Sequence, residues 1–276
     1  TKVKDINLQE FDMIVSGSPC QSFTNEGNME GGDKNSGTRS SLLWEQIKIA
    51  KKNKPKYIVW ENVRGLGFSK NKHILPQYTQ ELDEIGYNTY FKLLNSYNYN
   101  SVQKRERYFT ISIRKDIDDG SFEFPTPIEN TVKLSDILEP YDDKYVIPQK
   151  ILDEMVLEKL NKNTYKIKNG TKQGWLIAEE GDGIDFSFPT SKTRRGREQK
   201  QAIQTLKTQV AIGTIQDDKF RYLTPLEYWR GQGFSDEEYY KAKESGCTES
   251  QLYSLAGNSI NRNVLKDLFK NLIKIK

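Results

Sequence analysis

Histidine and cysteine are almost missing from this chain: its 276 residues include one histidine, His73, and two cysteines, Cys20 and Cys247. Two thiols cannot build a disulfide framework and suit a reducing compartment. With a single imidazole they leave a structural zinc site short of nitrogen and sulfur ligands, so no metal is expected. Long apolar runs are also missing. No stretch approaches the ~18 residues needed to span a bilayer, and no signal-peptide pattern opens the chain, which begins at Thr1. No membrane partner is expected, and a cytoplasmic location is. Charge of one sign is lacking overall, with 42 basic residues against 38 acidic ones and a net +4. The length suits one large domain or two modest ones.

Charge is concentrated locally. Lys192, Arg194, Arg195, Arg197 and Lys200 surround the single acid Glu198, a density that can neutralise phosphates and steer a nucleic acid, although a solvated loop has the same composition. Phe11 to Ser16 and Tyr57 to Trp60 read as short buried strands. Between them, Ser41 to Lys52 has helical spacing and stops before Pro55. This strand, helix, strand order implies a parallel pair with a right-handed crossover. Ile74 to Ile85 repeats the helical pattern with Gly86 as its stop, and Tyr90 to Leu94 and Tyr108 to Ile113 add strands. The first 115 residues are therefore α/β. After Pro127 the pattern breaks into short mixed segments with no long helical period until Pro225, and a final helical stripe runs from Ser259 to Lys274.

Three groups of chemically able residues sit at strand ends. Gly17-Ser18-Pro19-Cys20-Gln21-Ser22 places a thiol just past the first strand, at the edge where parallel sheets hold reacting groups. Alone, Cys20 reads as a small buried hydrophobe. Trp60-Glu61-Asn62-Val63 sets an acid at the same edge, able to serve as a general acid or to begin a helix. Gln103-Lys104-Arg105-Glu106-Arg107 enters the last strand, where arginine can bond a carbonyl or a phosphate, or form a charged turn.

In this order the blocks resemble the DNA cytosine-C5 methyltransferase family. Thr38-Arg39-Ser40-Ser41-Leu42-Leu43-Trp44-Glu45, Arg221-Tyr222-Leu223-Thr224-Pro225, Gly231-Gln232-Gly233-Phe234 and Gly257-Asn258-Ser259-Ile260 look like later motifs of that family. Thr205-Leu206 is similar to a pair in its recognition region. The resemblance implies a Rossmann-like S-adenosylmethionine-dependent methyltransferase sheet with a smaller, irregular target-recognition domain. It also implies methylation of cytosine at C5 in double-stranded DNA at a specific sequence, in a restriction-modification or phage setting. Cys20 would attack C6 of a flipped-out base, the thiolate being the nucleophile. Glu61 would contact N3 and the exocyclic amine, Arg107 would hold O2, and Arg105 would support the catalytic loop. Pro19, Leu42, Asn258 and Ser259 would contact S-adenosylmethionine. Gln21, Ser22 and Arg39, with Arg194, Arg195, Arg197, Thr205 and Leu206, would meet DNA.

The resemblance implies a division into a partial catalytic domain at 1–140, a target-recognition domain and hinge at 141–252, and a returning C-terminal helix at 253–276. It also exposes departures. The family's opening strand, glycine-rich turn and acidic residue would precede Phe11 by several dozen residues. No intact Gly-x-Gly-x-x-Gly occurs, and Gly65-Leu66-Gly67 follows the second strand's acid. The expectations are a fragment, a second polypeptide supplying the cofactor half, or a catalytically silent DNA-binding truncation. Leu255 and Leu226 replace a usual glutamine and arginine. No Cys-Phe-Thr string of the tRNA-modifying branch is present.

Overall fold

The computed structural model describes residues 10–18 and 32–273. Pro19, Cys20, Gln21 and Ser22 lie outside the described residues. The chain forms two compact units, one from 1–94, 106–125 and 271–276, the other from 95–105 and 126–270.

In the first unit the elements run β1 (Met13–Gly17), α1 (Leu43–Asn53), β2 (Tyr57–Val63), α2 (Ile74–Glu84), β3 (Tyr87–Asn95) and β4 (Glu106–Arg114). The sheet order is β1-β2-β4-β3. β1 and β2 are parallel, with Val15 beside Val59 and Gly17 beside Glu61, as the crossover through α1 requires. β2 lies between two neighbours and is buried along nearly its whole length, which is why Ile58, Val59 and Trp60 follow one another without polar alternation. Leu43, Trp44, Ile47 and Ala50 of α1 pack with Ile74, Tyr78 and Leu82 of α2 over Ile58 and Trp60. Tyr78 stacks at 4.5 Å from Trp60, and burial pushes its hydroxyl well above the ordinary tyrosine value.

Pro55 ends α1 in a specific way. A proline disfavours helical backbone in the residue before it, and Lys54 takes φ 47° while its N–H bonds the Ala50 carbonyl at 2.8 Å. A 3-10 turn at Arg39–Leu42 precedes α1, so the helix starts two residues after the expected Ser41.

The second unit holds α3 (Gln149–Met155), the antiparallel sheet of β5 (Val156–Asn161), β6 (Thr164–Lys168) and β7 (Trp175–Glu179), and a four-stranded sheet. That sheet comprises β8 (Gly183–Asp185), β9 (Glu198–Gln199), β10 (Ile212–Gln216) and β11 (Lys219–Tyr222), in the order β11-β10-β8-β9. The short mixed segments after Pro127 thus include antiparallel strands. Tyr165, Ile167, Ala178, Ile184, Ile215 and Phe220 form one core across both sheets.

Helices α4 (Pro225–Gly231), α5 (Asp236–Glu244), α6 (Glu249–Asn258) and α7 (Arg262–Leu272) follow. Each of the first three begins with a reciprocal capping box: Thr224 with Glu227, Ser235 with Glu238, and Thr248 with Gln251. Leu226, where the family resemblance anticipated arginine, is buried in the core with Leu223, Tyr228 and Leu252. Leu255 is exposed.

Candidate functional site

The best-formed chemical group lies where β2 and β4 pair. In this antiparallel register Val63 faces Arg107 and Glu61 faces Phe109. Glu61 and Val63 point to one face of the sheet because side chains alternate, so Arg107 is the diagonal neighbour of Glu61 and can reach it. Its Nε stands 3.0 Å from Glu61 Oε1, with both side chains largely buried. The separation is that of an ion pair, but the angle is not that of a hydrogen bond, and Oε1 is buried without a hydrogen-bond donor among the described residues. A buried carboxylate oxygen left in this state is costly unless something else completes it. Arg107 also donates from Nη1 to the Glu106 carbonyl at 2.9 Å, which limits how its guanidinium can turn.

Beside this pair the end of β1 is pinned by side chains. Ser18 Oγ accepts from Trp60 Nε1 at 2.9 Å and from Asn62 Nδ2 at 3.0 Å. Asn62 is held in turn, its Oδ1 accepting the Val63 N–H at 2.8 Å. Ser16 Oγ donates to Gln46 Oε1 of α1 at 2.8 Å. The strand therefore leaves the sheet from a fixed point two residues before Cys20. Neither Ser18 nor Asn62 was singled out from sequence. The signal available was a polar pair, Asn62 and Ser18, at the ends of adjacent parallel strands.

Further along, Trp44 Nε1 donates to the Gly32 carbonyl at 2.8 Å, His73 Nε2 meets Asp33 Oδ1 at 2.7 Å, and Lys34 bonds Glu81 at 2.7 Å. These contacts tie residues 32–34 to α1 and α2. Arg39 stands in the 3-10 turn that follows.

Other expected residues fall elsewhere. Arg105 is buried in the second unit, where its Nη1 reaches the carbonyls of Leu206 at 3.5 Å and Gly257 at 3.4 Å. It thus braces the two later motifs. Gly257 is needed there for space, because a Cβ would lie 2.3 Å from the Lys207 carbonyl oxygen. Leu206 is core-buried and bonds Gln103 Oε1 through its N–H at 3.0 Å, and Thr205 donates to the Lys104 carbonyl at 3.3 Å.

The basic loop divides sharply. Arg195 and Lys192 are exposed, and Arg194 pairs with Asp185. Arg197 is wholly buried. It donates to the carbonyls of Asp185, Ser187 and Phe188 at 3.3, 3.1 and 2.8 Å, so it braces the loop from within rather than offering its charge outward. Burial pulls its pKa below the ordinary arginine value. Sequence charge counts every arginine alike and could not separate these roles.

For S-adenosylmethionine the described candidates are Leu42, Asn258 and Ser259. Leu42 is exposed and apolar. Asn258 Nδ2 bonds Ser254 Oγ at 3.4 Å, and Ser259 Oγ donates to the Leu255 carbonyl at 2.7 Å, both within α6 or at its end. These groups bring no carboxylate for ribose hydroxyls and have local partners already.

The sequence profile described as C-5 cytosine-specific DNA methylase matches residues 1–274. The type II methyltransferase M2.ScrFI of Lactococcus lactis subsp. cremoris is 34% identical over 272 residues, covering 97% of this chain and 68% of that protein. The type II methyltransferase M.HhaI of Haemophilus parahaemolyticus is 28% identical over 278 residues, covering 99% of this chain and 79% of that one. In fold the chain resembles the Entamoeba histolytica methyltransferase EhMeth, with a TM-score of 0.62 at 20% identity over 95% of this chain and 77% of that structure. No helix among the described residues is long and apolar enough to cross a membrane. Glu61 and Arg107 on paired strands, a pinned strand end leading to Cys20, and a profile match over nearly the whole length agree: the chain belongs to the C-5 cytosine-specific DNA methylases.

Proposed function

We propose that Cys20 attacks C6 of a cytosine flipped out of duplex DNA, and that Glu61 and Arg107 receive the ring. The observation that carries this reading is the Glu61–Arg107 pair beside the end of β1. Cytosine C5 is a weak nucleophile, and addition of a thiolate at C6 gives it enamine character. Charge then builds on the ring at N3, where Glu61 can supply a proton. Its buried Oε1, without a hydrogen-bond donor among the described residues, suits a site completed by substrate. Arg107 orients the carboxyl group and can bond the ring's O2. The methyl group comes from S-adenosylmethionine, as is general in this family.

Within this reading, residues 141–252 act in target recognition and hinge motion. Arg39 and the exposed Arg195 neutralise phosphate, and Leu206 and Arg197 act by shaping the recognition face. A second reading has one favouring observation: among the described residues β1 is an outer strand, with Val15 exposed. A parallel edge of this kind can accept a further strand, and in this reading a second polypeptide completes the cofactor half.

DNA carrying 5-fluorocytosine separates these outcomes. With S-adenosylmethionine the protein is expected to form a denaturation-resistant adduct, and Cys20→Ser to form none while still binding DNA. An adduct that appears only after a co-purifying chain is added favours the second reading. No adduct under either condition defeats the enzymatic one.

A further inference from the structure

Phe188 stands in a position and a backbone conformation that ill suit its residue type. It is 62% exposed, the most exposed of the large apolar side chains among the described residues. Its φ is 52°, a left-handed backbone that penalises a bulky side chain. It also precedes Pro189, which normally drives the preceding residue to extended backbone. The other non-glycine residues with positive φ are asparagine, aspartate, lysine or glutamine, and asparagine and aspartate tolerate that region. Phe188 is the aromatic exception.

The surrounding structure maintains this conformation. The wholly buried Arg197 donates to the Phe188 carbonyl at 2.8 Å and to the Ser187 carbonyl at 3.1 Å. The Ser191 N–H bonds the same Phe188 carbonyl at 3.0 Å. A buried arginine thus spends its charge on holding a strained turn in place. Two cations lie against the ring: the Arg194 guanidinium carbon is 5.3 Å from its centroid and Lys207 Nζ is 5.9 Å away. Lys192 and Arg195 are exposed on the same loop. Strain kept at an exposed aromatic among cations points to a ligand that sets apolar surface beside anionic groups.

Resting on the reading of this protein as a DNA methylase, we propose that Phe188 is a base-contacting residue of the recognition face, presenting its ring to the bases of duplex DNA while its basic neighbours meet the phosphates. Arg197 is a positioning residue for that ring. Apolar contact of the ring edge with base edges and sugars in a groove releases no counterions. The ring therefore contributes affinity with little dependence on salt, whereas Arg195 contributes a share that salt removes.

The experiment measures binding of the full chain to a fluorescein-labelled duplex of mixed sequence by anisotropy across a salt series, with thermal unfolding recorded in parallel. Phe188→Ala is expected to weaken binding roughly tenfold or more at every salt concentration, leaving the slope of log affinity against log salt unchanged. Arg195→Ala is expected to lower that slope by about one. Phe188→Tyr keeps the ring and its apolar edge and recovers most of the affinity. Phe188→Gly relieves the backbone, so it should unfold no earlier than the wild type while binding as poorly as Phe188→Ala. Wild-type affinity in Phe188→Ala, or equal losses in Phe188→Tyr and Phe188→Ala, overturns the proposal. Failure of the wild type to bind the duplex at all instead defeats the DNA reading on which it rests.

Discussion

Among the described residues two arginine–glutamate pairs are buried, and they are built to opposite specifications. In the second unit Arg221 and Glu227, at 1% and 0% side-chain exposure, meet through two parallel bonds of 2.8 and 2.7 Å. Glu227 also accepts the N–H groups of Thr224 and Glu139, each at 2.7 Å, so both its oxygens are satisfied. In the first unit Glu61 and Arg107 share one contact of poor angle, and Glu61 Oε1 has no hydrogen-bond donor among the described residues. The first arrangement locks the N-terminus of α4 to β11. The second holds a carboxyl group in place while leaving capacity for something else. A completed polar network specifies structure, and an incomplete one at a strand end marks where chemistry is expected.

Removing one partner from each pair should sharpen that contrast. Glu61→Gln is expected to lower the rate of adduct formation or methylation by roughly a hundred- to ten-thousandfold, the usual contribution of a positioned acid, with thermal unfolding near that of the wild type. Arg221→Met should do the reverse. It strands a buried charge and is expected to cost about 3–5 kcal/mol in chemical denaturation, while the double variant Arg221→Met, Glu227→Leu recovers much of the loss. If Glu61→Gln unfolds as readily as Arg221→Met, the two pairs do not differ in role.

A smaller effect concerns Asp185, which pairs with Arg194 beside the basic loop. Burial raises its pKa, but bonds from Ser187 and Arg194 outweigh this and leave the carboxyl below the ordinary value of 3.8. A depressed folded pKa gives stability that is present above the unfolded value and lost as the pH falls through the folded one. Thermal midpoints measured below pH ~4 should therefore decline more steeply in the wild type than in Asp185→Asn. Equal slopes would show that Asp185 and Arg194 make no net difference to folding.

These pairs also show what a reader of the sequence can and cannot see. Glu61 and Arg107 were legible because strand-end position and residue type carry chemical meaning, and the parallel register of β1 with β2 followed from the helix between them. β2 was read only to Trp60, although it continues to Val63, because Glu61 and Asn62 break an apolar run without breaking the strand. Arg197 was read as a DNA contact from the charge of its loop, and Leu206 from the resemblance of Thr205-Leu206 to a family pair. Leu206 is held by Gln103, 103 residues away, and Arg197 by a fold-back of its own loop, and no local pattern encodes either. Expectations for Cys20, Gln21 and Ser22 lie outside the described residues. Phe188 had no sequence signal at all, since a phenylalanine before a proline looks ordinary until its backbone angle is known.

One hydroxyl group next to the site has a further implication. A serine oxygen carries two lone pairs, and at Ser18 Trp60 and Asn62 occupy both. What remains to that side chain is its proton. Polarity at this point is therefore one-way: any further bond made by Ser18 must go to an acceptor, so the end of the strand is receptive to a carbonyl oxygen or an anion and closed to another donor.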